Sequence, residues 1–189
     1  MLRRIGAALF SAAILAWSGN ASAGNSPWSA TLYAGPASTA FVTQILGGKF
    51  DVNGGMVGLA VDRGLFRLGS GISLAGEIQL TQFVGKYTYN TGALGIGLRF
   101  DEFPWSDSFP MSFAIYTGPS YAPNAPLILD PTPHQDPKFL NYVSLEFAFQ
   151  MNRSWDFSVR AYHRSGAWGT YSNTADVGSM IGVGLRRRF

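Results

Sequence analysis

Three stretches of this chain alternate greasy and polar side chains with a period of two, and that pattern limits the fold more than any other feature. Ile72, Leu74, Gly76, Ile78 and Leu80 alternate with Ser73, Ala75, Glu77, Gln79 and Thr81. Leu94, Ile96, Leu98 and Phe100 alternate with Gly95, Gly97, Arg99 and Asp101. Val143, Leu145, Phe147 and Phe149 alternate with Tyr142, Ser144, Glu146, Ala148 and Gln150. A period of two belongs to a β-strand, whose successive side chains point to opposite faces. Segments of about ten residues with one greasy and one polar face are the pattern of strands that cross a bilayer. Two architectures use such strands. In a soluble sandwich the greasy face points inward; in a membrane barrel it points out at lipid and the polar face fills the lumen.

Several features favour the barrel. The polar faces carry Glu77, Arg99, Glu146 and Arg160, which can pair in a narrow lumen, as buried charges must. The chain ends IGVGLRRRF, where Ile181, Val183, Leu185 and Phe189 alternate up to a terminal aromatic. This resembles the C-terminal strand by which the outer-membrane assembly machinery recognises its clients, so that machinery is an expected partner. Arg187 breaks the alternation, but an arginine near the interface costs only about 0–1 kcal/mol. At the other end, MLRRIGAALFSAAILAWSGNASA has a basic start, an apolar run from Ile5 to Trp17 and a small-x-small pattern at Ala21–Ala23. Residues 1–23 therefore read as a secretory signal peptide and 24–189 as one outer-membrane β-barrel domain. No later segment has 18 consecutive apolar residues, and a closed barrel is the remaining way to span a membrane.

Composition removes other classes. The formal charge of +3 falls to about +1 without Arg3 and Arg4, and no basic stripe is left to bind nucleic acid. With no cysteine there is neither a disulfide nor a thiolate site. Two histidines make a zinc site improbable.

The strand-like segments are 27–36, 39–48, 54–63, 71–84, 91–101, 110–121, 140–151, 155–165 and 175–189. A bacterial single-chain barrel takes an even number of strands. The weakest segment, 39–48, is assigned to a loop or to part of the first hairpin, which leaves an all-β, eight-stranded antiparallel transmembrane β-barrel in the Gram-negative outer membrane. With both termini periplasmic, the strand at 155–165 is the seventh and rises to the cell surface. The short Met151–Ser154 turn is then periplasmic, as is the longer Asp101–Pro110 turn, and the proline-rich 122–138 loop lies outside.

The seventh strand raises the question of function. Its polar face is Asp156, Ser158, Arg160, Tyr162 and Arg164. Its other face runs Phe157, Val159, Ala161 and then His163 and Ser165. Parity points His163 and Ser165 away from the lumen, at the outer leaflet, which is mostly lipopolysaccharide. A serine hydroxyl becomes a useful nucleophile when a neighbouring imidazole takes its proton. Residues i and i+2 of a strand share a face with Cα atoms about 6.6 Å apart. Such a pair also needs an acid to orient the histidine and donors for an oxyanion.

The stretch NYVSLEFAFQMNRSWDFSVRAYHRSGAWG, residues 141–169, resembles the penultimate hairpin of the lipid A 3-O-deacylases, the PagL-type outer-membrane esterases. Their motif is His-x-Ser near the end of the seventh strand, here His163-Arg164-Ser165. The resemblance extends from about Gly71 to the C-terminus. It implies a cofactor-free serine esterase that removes an ester-linked acyl chain, at the 3-O position, from lipid A of lipopolysaccharide. Ser165 would be the nucleophile and His163 the base. The family motif continues His-x-Ser-Asn, whereas this chain has Gly166, whose surrounding backbone is the substitute oxyanion donor. The family's acid is a glutamate about fourteen residues after the histidine. That position is Val177, with Asp176 beside it as the nearest carboxylate; strict alternation turns Asp176 into the lumen unless a bulge re-aims it. Asn173 falls where the family has a polar loop residue.

Other polar residues read more simply. His134 is a solvated loop residue, and Glu77, Glu146 and Arg160 are lumen structure. Asp101, Glu102 and Asp107 form a solvated turn rather than a calcium site. Arg164 and Lys138 are candidates to touch lipid A phosphates. Trp105, Trp155, Tyr116, Tyr121 and Tyr142 are interfacial belt or packing residues. The alternative function is a non-enzymatic small outer-membrane barrel, structural or ligand-binding, that keeps the scaffold.

Overall fold

The computed structural model describes residues 28–38, 44, 47–49, 51–86, 88–125, 138–172 and 178–189. Eight strands follow in chain order: β1 (Trp28–Ser38), β2 (Val52–Gly69), β3 (Ile72–Gly85), β4 (Tyr89–Phe100), β5 (Met111–Tyr121), β6 (Phe139–Gln150), β7 (Trp155–Ser165) and β8 (Gly178–Arg188). Each pairs antiparallel with its neighbours, and β1 pairs with β8, so the sheet closes into a barrel. Closure leaves no row of unpaired backbone groups, which is what hydrocarbon demands.

Which face points where separates the barrel from a sandwich. On β3, Ile78 and Leu80 are each 59% exposed, while Glu77 and Gln79 between them are 2% and 1% exposed. Leu94, Ile96, Phe147, Ile181, Val183 and Leu185 are likewise exposed. The greasy faces read from the sequence form the outer wall and the polar faces form the interior. Such an apolar exterior needs an apolar solvent.

The interior is filled by rings and charges. Tyr33, Tyr116, Tyr142 and Tyr162 are fully buried within it. Two glycines make room for them: a Cβ on Gly58 would lie 2.4 Å from the Tyr33 ring, and one on Gly95 would lie 1.8 Å from the Tyr142 hydroxyl. The Tyr142 hydroxyl is 3.2 Å from Glu77. Arg160 pairs with Glu77 and, at 2.9 Å, with Glu146. Arg99 pairs with Asp62 and donates to the Tyr116 hydroxyl at 2.9 Å. Arg186 lies 3.6 Å from Glu146 and 4.0 Å from both Asp62 and Asp156. The pairing expected of Glu77, Arg99, Glu146 and Arg160 is present, with Asp62, Asp156 and Arg186 joining it.

Most strand bounds fall within a few residues of those read from the sequence. The segment 39–48 forms no strand among its described residues. β2 runs six residues further than the expected 54–63, to Gly69. Its ladder to β3 shifts between Gly64 and Phe66 and again between Arg67 and Gly69, and such bulges interrupt the period-two pattern. Arg187, which broke the alternation of the last strand, has its guanidinium 5.8 Å from the Trp155 ring centroid and 5.5 Å from that of Phe189. That is an interfacial arrangement of cation and aromatic belt. Trp105, Trp155 and Tyr121 are exposed, whereas Tyr116 and Tyr142 are packing residues. Both termini of the barrel, the Asp101–Pro110 connection and Met151–Ser154 share one rim. The C-terminal ends of β5 and β7 and the starts of β6 and β8 share the other. Residues 1–23, expected from the sequence to be a signal peptide, lie outside the described residues.

Candidate active site on the outer wall

The last strands before the long-loop rim place a polar group on an otherwise apolar wall. Exposure along β7 alternates with a period of two: Ser158, Arg160, Tyr162 and Arg164 are buried, and Val159, Ala161, His163 and Ser165 are half-buried. His163 and Ser165 thus share the outward row, as parity requires. The neighbouring strands set what lies beside them. In the β6–β7 register Asn141 faces Ser165 and Val143 faces His163. In the β7–β8 register Ser179 faces His163, and in the β1–β8 register Ser38 faces Ser179. On β5, the Thr117 hydroxyl is 3.2 Å from Asn141 Oδ1 and 3.1 Å from the Tyr142 carbonyl. Ser38, Ser179, His163, Ser165, Asn141 and Thr117 therefore form a polar band across β1, β8, β7, β6 and β5.

One contact in this band fixes the imidazole. His163 Nδ1 lies 2.9 Å from Ser179 Oγ. Ser165 makes no side-chain hydrogen bond to His163 among the described residues, so the two meet through their shared row rather than a formed bond. Loose apo geometry of this kind is common in catalytic pairs.

The chain turns sharply directly after Ser165. Ala167 and Trp168 adopt positive φ, 49° and 53°, followed by Gly169 at 88°. Left-handed backbone at two consecutive non-glycine residues is strained, and such strain concentrates at functional sites. The turn is closed by hydrogen bonds from the Thr170 N–H to the Ala167 carbonyl and from the Tyr171 N–H to the Gly166 carbonyl, both 3.0 Å. The Tyr171 ring lies 5.6 Å from that of Phe139 on β6. Gly166 is buried under this turn and Trp168 projects from it, fully exposed.

The remaining residues expected at the site divide into two groups. Asp176 and Asn173 lie outside the described residues. Arg164 lies inside the lumen, away from the wall: it is fully buried, donates from Nε to Ser120 Oγ at 2.9 Å, and donates from Nη2 to the Lys138 carbonyl at 3.2 Å. As the even member of an alternating strand, it cannot share a face with His163 and Ser165, which corrects its expected contact with lipid A phosphates. Ser179 and Asn141 were missed. Both belong to neighbouring strands, and only a known cross-strand register brings them beside the motif. Among the described residues no group of three His, Asp or Glu side chains gathers as a metal site would require.

No protein-family model matches the chain, and neither does any curated protein. Solved structures do. The outer membrane enzyme PagL superposes with a TM-score of 0.62 over 85% of this chain and 99% of its own, at 9% identity. The attachment invasion locus protein Ail of Yersinia pestis superposes with a TM-score of 0.50 over 87% of this chain and 100% of its own, at 11% identity. At such identities the likeness speaks for architecture alone. This chain has the closed, eight-stranded antiparallel fold of the small outer-membrane β-barrels.

Proposed function

We propose that the protein is an outer-membrane serine esterase that hydrolyses an ester-linked acyl chain, at the 3-O position, of lipid A. The observation that carries this reading is the outward row of β7: Ser165 and His163 lie on the wall, where only a membrane-resident substrate reaches them. A solute-processing site would be sought in the lumen, but that space is filled by Arg160, Glu77, Glu146 and the buried tyrosines. The long-loop rim faces the cell exterior in this reading, which sets the pair level with the outer leaflet. The fold shared with PagL, an outer membrane enzyme, supports the reading as analogy.

The chemistry needs no cofactor. Ser165 Oγ attacks the ester carbonyl while His163 takes its proton, giving a tetrahedral oxyanion. Backbone N–H groups around Gly166 are the candidate donors to it, and the Asn141 amide, opposite Ser165, is a further one. The C–O bond to the sugar then breaks, and His163 returns the proton to the departing sugar oxygen. Water attacks the acyl-Ser165 ester in the same manner, releasing the fatty acid and restoring both side chains. Asp176 and Asn173 are carried as the sequence's candidates for acid and loop donor. The outer-membrane assembly machinery, acting on β8, is the proposed insertion partner.

A second reading, a non-enzymatic barrel, draws on one specific observation: among the described residues Ser165 Oγ is not hydrogen-bonded to His163. Mass spectrometry of lipid A from cells expressing the protein separates the two readings. Loss of one ester-linked acyl chain with wild type and none with Ser165→Ala is the expected result. Unchanged lipid A with a folded wild-type barrel would favour the second reading.

A further inference from the structure

We infer that the outer wall at the short-turn rim holds the phosphate of an anionic phospholipid between Arg63 and Arg187, across the foot of β1. Both side chains belong to outward rows. Arg63 continues the row of Leu59 and Val61 on β2, and Arg187 that of Val183 and Leu185 on β8. Arg63 faces Trp28 in the β1–β2 register, and Arg187 faces Ala30 on β1 and Trp155 on β7. The two arginines are thus two strands and two residues apart. With strands about 4.8 Å apart and a rise of about 3.3 Å per residue, their Cα atoms lie about 12 Å from each other, within reach of two arginine side chains leaning over Ala30. Rings steady both guanidinium groups. That of Arg63 lies 5.0 Å from the Trp28 ring centroid, and that of Arg187 lies 5.8 Å and 5.5 Å from those of Trp155 and Phe189. A guanidinium over a ring face keeps its in-plane N–H donors, the fork that takes two phosphate oxygens at once.

Charge decides which headgroup fits. Other arginines toward this rim are committed: Arg67 pairs with Glu102, Arg188 with Asp156, Arg99 with Asp62 and Arg186 with Glu146. Among the described residues, neither Arg63 nor Arg187 has a carboxylate within ion-pair distance. Asp62 and Asp156, next to them in sequence or register, are buried in the lumen. The terminal carboxylate at Phe189 is offset by Arg153, exposed on the adjoining Met151–Ser154 turn. Two cationic forks with no acid placed to receive an ammonium match a headgroup of net negative charge better than a zwitterion. The depth fits the same ligand. Arg187 and Ser179 share the outer row of β8, eight residues apart. At about 3.3 Å per residue and a tilt near 40°, that spans about 20 Å along the membrane normal, close to an apolar band of about 25 Å. The arginines therefore stand at the headgroup level opposite the polar band of the candidate site. With the short turns periplasmic, that level belongs to the phospholipid leaflet. The inference is independent of the esterase reading.

Native mass spectrometry of the full-length folded barrel, released from neutral detergent micelles, counts the lipids that stay bound. Phosphatidylglycerol and phosphatidylcholine with the same acyl chains are supplied in turn, and phosphatidylglycerol should be retained in preference. An arginine beside an anionic lipid surface is worth about fivefold in affinity, so Arg63→Gln or Arg187→Gln should each weaken retention about fivefold, and the two together about 30-fold. Replacing both by lysine keeps the charge without the forks and should fall between wild type and the double glutamine variant. Arg67→Gln, at the same rim but paired with Glu102, should change retention by about twofold at most. All these variants should keep the folded gel mobility, because side chains at the interface contribute little to barrel stability. Equal retention of phosphatidylcholine, an unchanged double glutamine variant, or an equal loss in Arg67→Gln would overturn the proposal. So would displacement of the lipid by inorganic phosphate, the mark of a free-anion site, or tighter retention of lipid A than of phosphatidylglycerol, which would assign this rim to the other leaflet.

Discussion

Replacing Arg160 with methionine should destabilise the barrel by about 3–5 kcal/mol, because a buried ion group loses the member that neutralises the others. Arg160 Nη1 is 2.9 Å from Glu146, Nη2 bonds Glu77 and lies 3.0 Å from Gln79 Oε1, and the guanidinium sits 4.9 Å from the Tyr33 ring centroid. Two unit charges 2.9 Å apart attract by about 6 kcal/mol at an effective dielectric constant near 20. Against this stand desolvation costs of several kcal/mol per ion, which the single substitution does not remove for the carboxylates. Glu146 keeps Arg186 at 3.6 Å, whereas Glu77 keeps the Tyr142 hydroxyl at 3.2 Å. The stranded charge at Glu77 therefore carries most of the loss. The triple variant Glu77→Gln, Arg160→Met, Glu146→Gln strands no charge at this group, so most of the stability should return. Urea unfolding in lipid vesicles, followed by the heat-dependent shift in gel mobility, measures both. An Arg160→Met barrel within about 0.5 kcal/mol of wild type, or a triple variant weaker than the single one, would refute the reasoning.

Ser165→Ala and His163→Ala should each lower lipid A deacylation by several powers of ten, with the double variant little worse because the two act as one unit; both should keep the folded gel mobility. Gly95→Ala places a Cβ 1.8 Å from the Tyr142 hydroxyl, so it should cost about 1–3 kcal/mol in urea unfolding, and Tyr142→Phe in the same chain should recover part of it. The chain has no cysteine, so single cysteines can report sidedness: Ala125→Cys should react with an impermeant maleimide on intact cells and Asn152→Cys should not. The opposite labelling would invert the barrel.

Alternation carried the fold from sequence to structure because a barrel wall and a lumen select opposite chemistries at successive residues. Ile78 and Leu80 face out and Glu77 and Gln79 face in, so local patterning alone was enough. It weakened in β2 where bulges consume residues without a partner, and the strand's far end went unread. The same parity put His163 and Ser165 together on the outer face. It was silent about Ser179 and Asn141, because pairing register depends on loop lengths and shear that no single strand records. Arg164 was legible as lumen-facing by that parity, and its expected lipid contact gave way to the buried bonds with Ser120 and the Lys138 carbonyl.

The closure of the sheet has a consequence for the order in which the protein folds. β1 and β8 join residues from the two ends of the barrel, Ser29 opposite Arg188, and Arg186 donates to Ser29 at 2.9 Å and to Ser112 at 3.1 Å. The β1–β8 contacts have the greatest separation along the chain, so their loop-closure entropy must be met before they return any stability. A chain stopped before Gly178 has seven strands, two open edges and three carboxylates, at Asp62, Glu146 and Asp156, deprived of Arg186. Such a chain is not a smaller barrel but an unsealed sheet, prone to pairing with other chains and to proteolysis. The final strand therefore sets the committed step: until β8 arrives, synthesis has produced a sheet, and only then a wall.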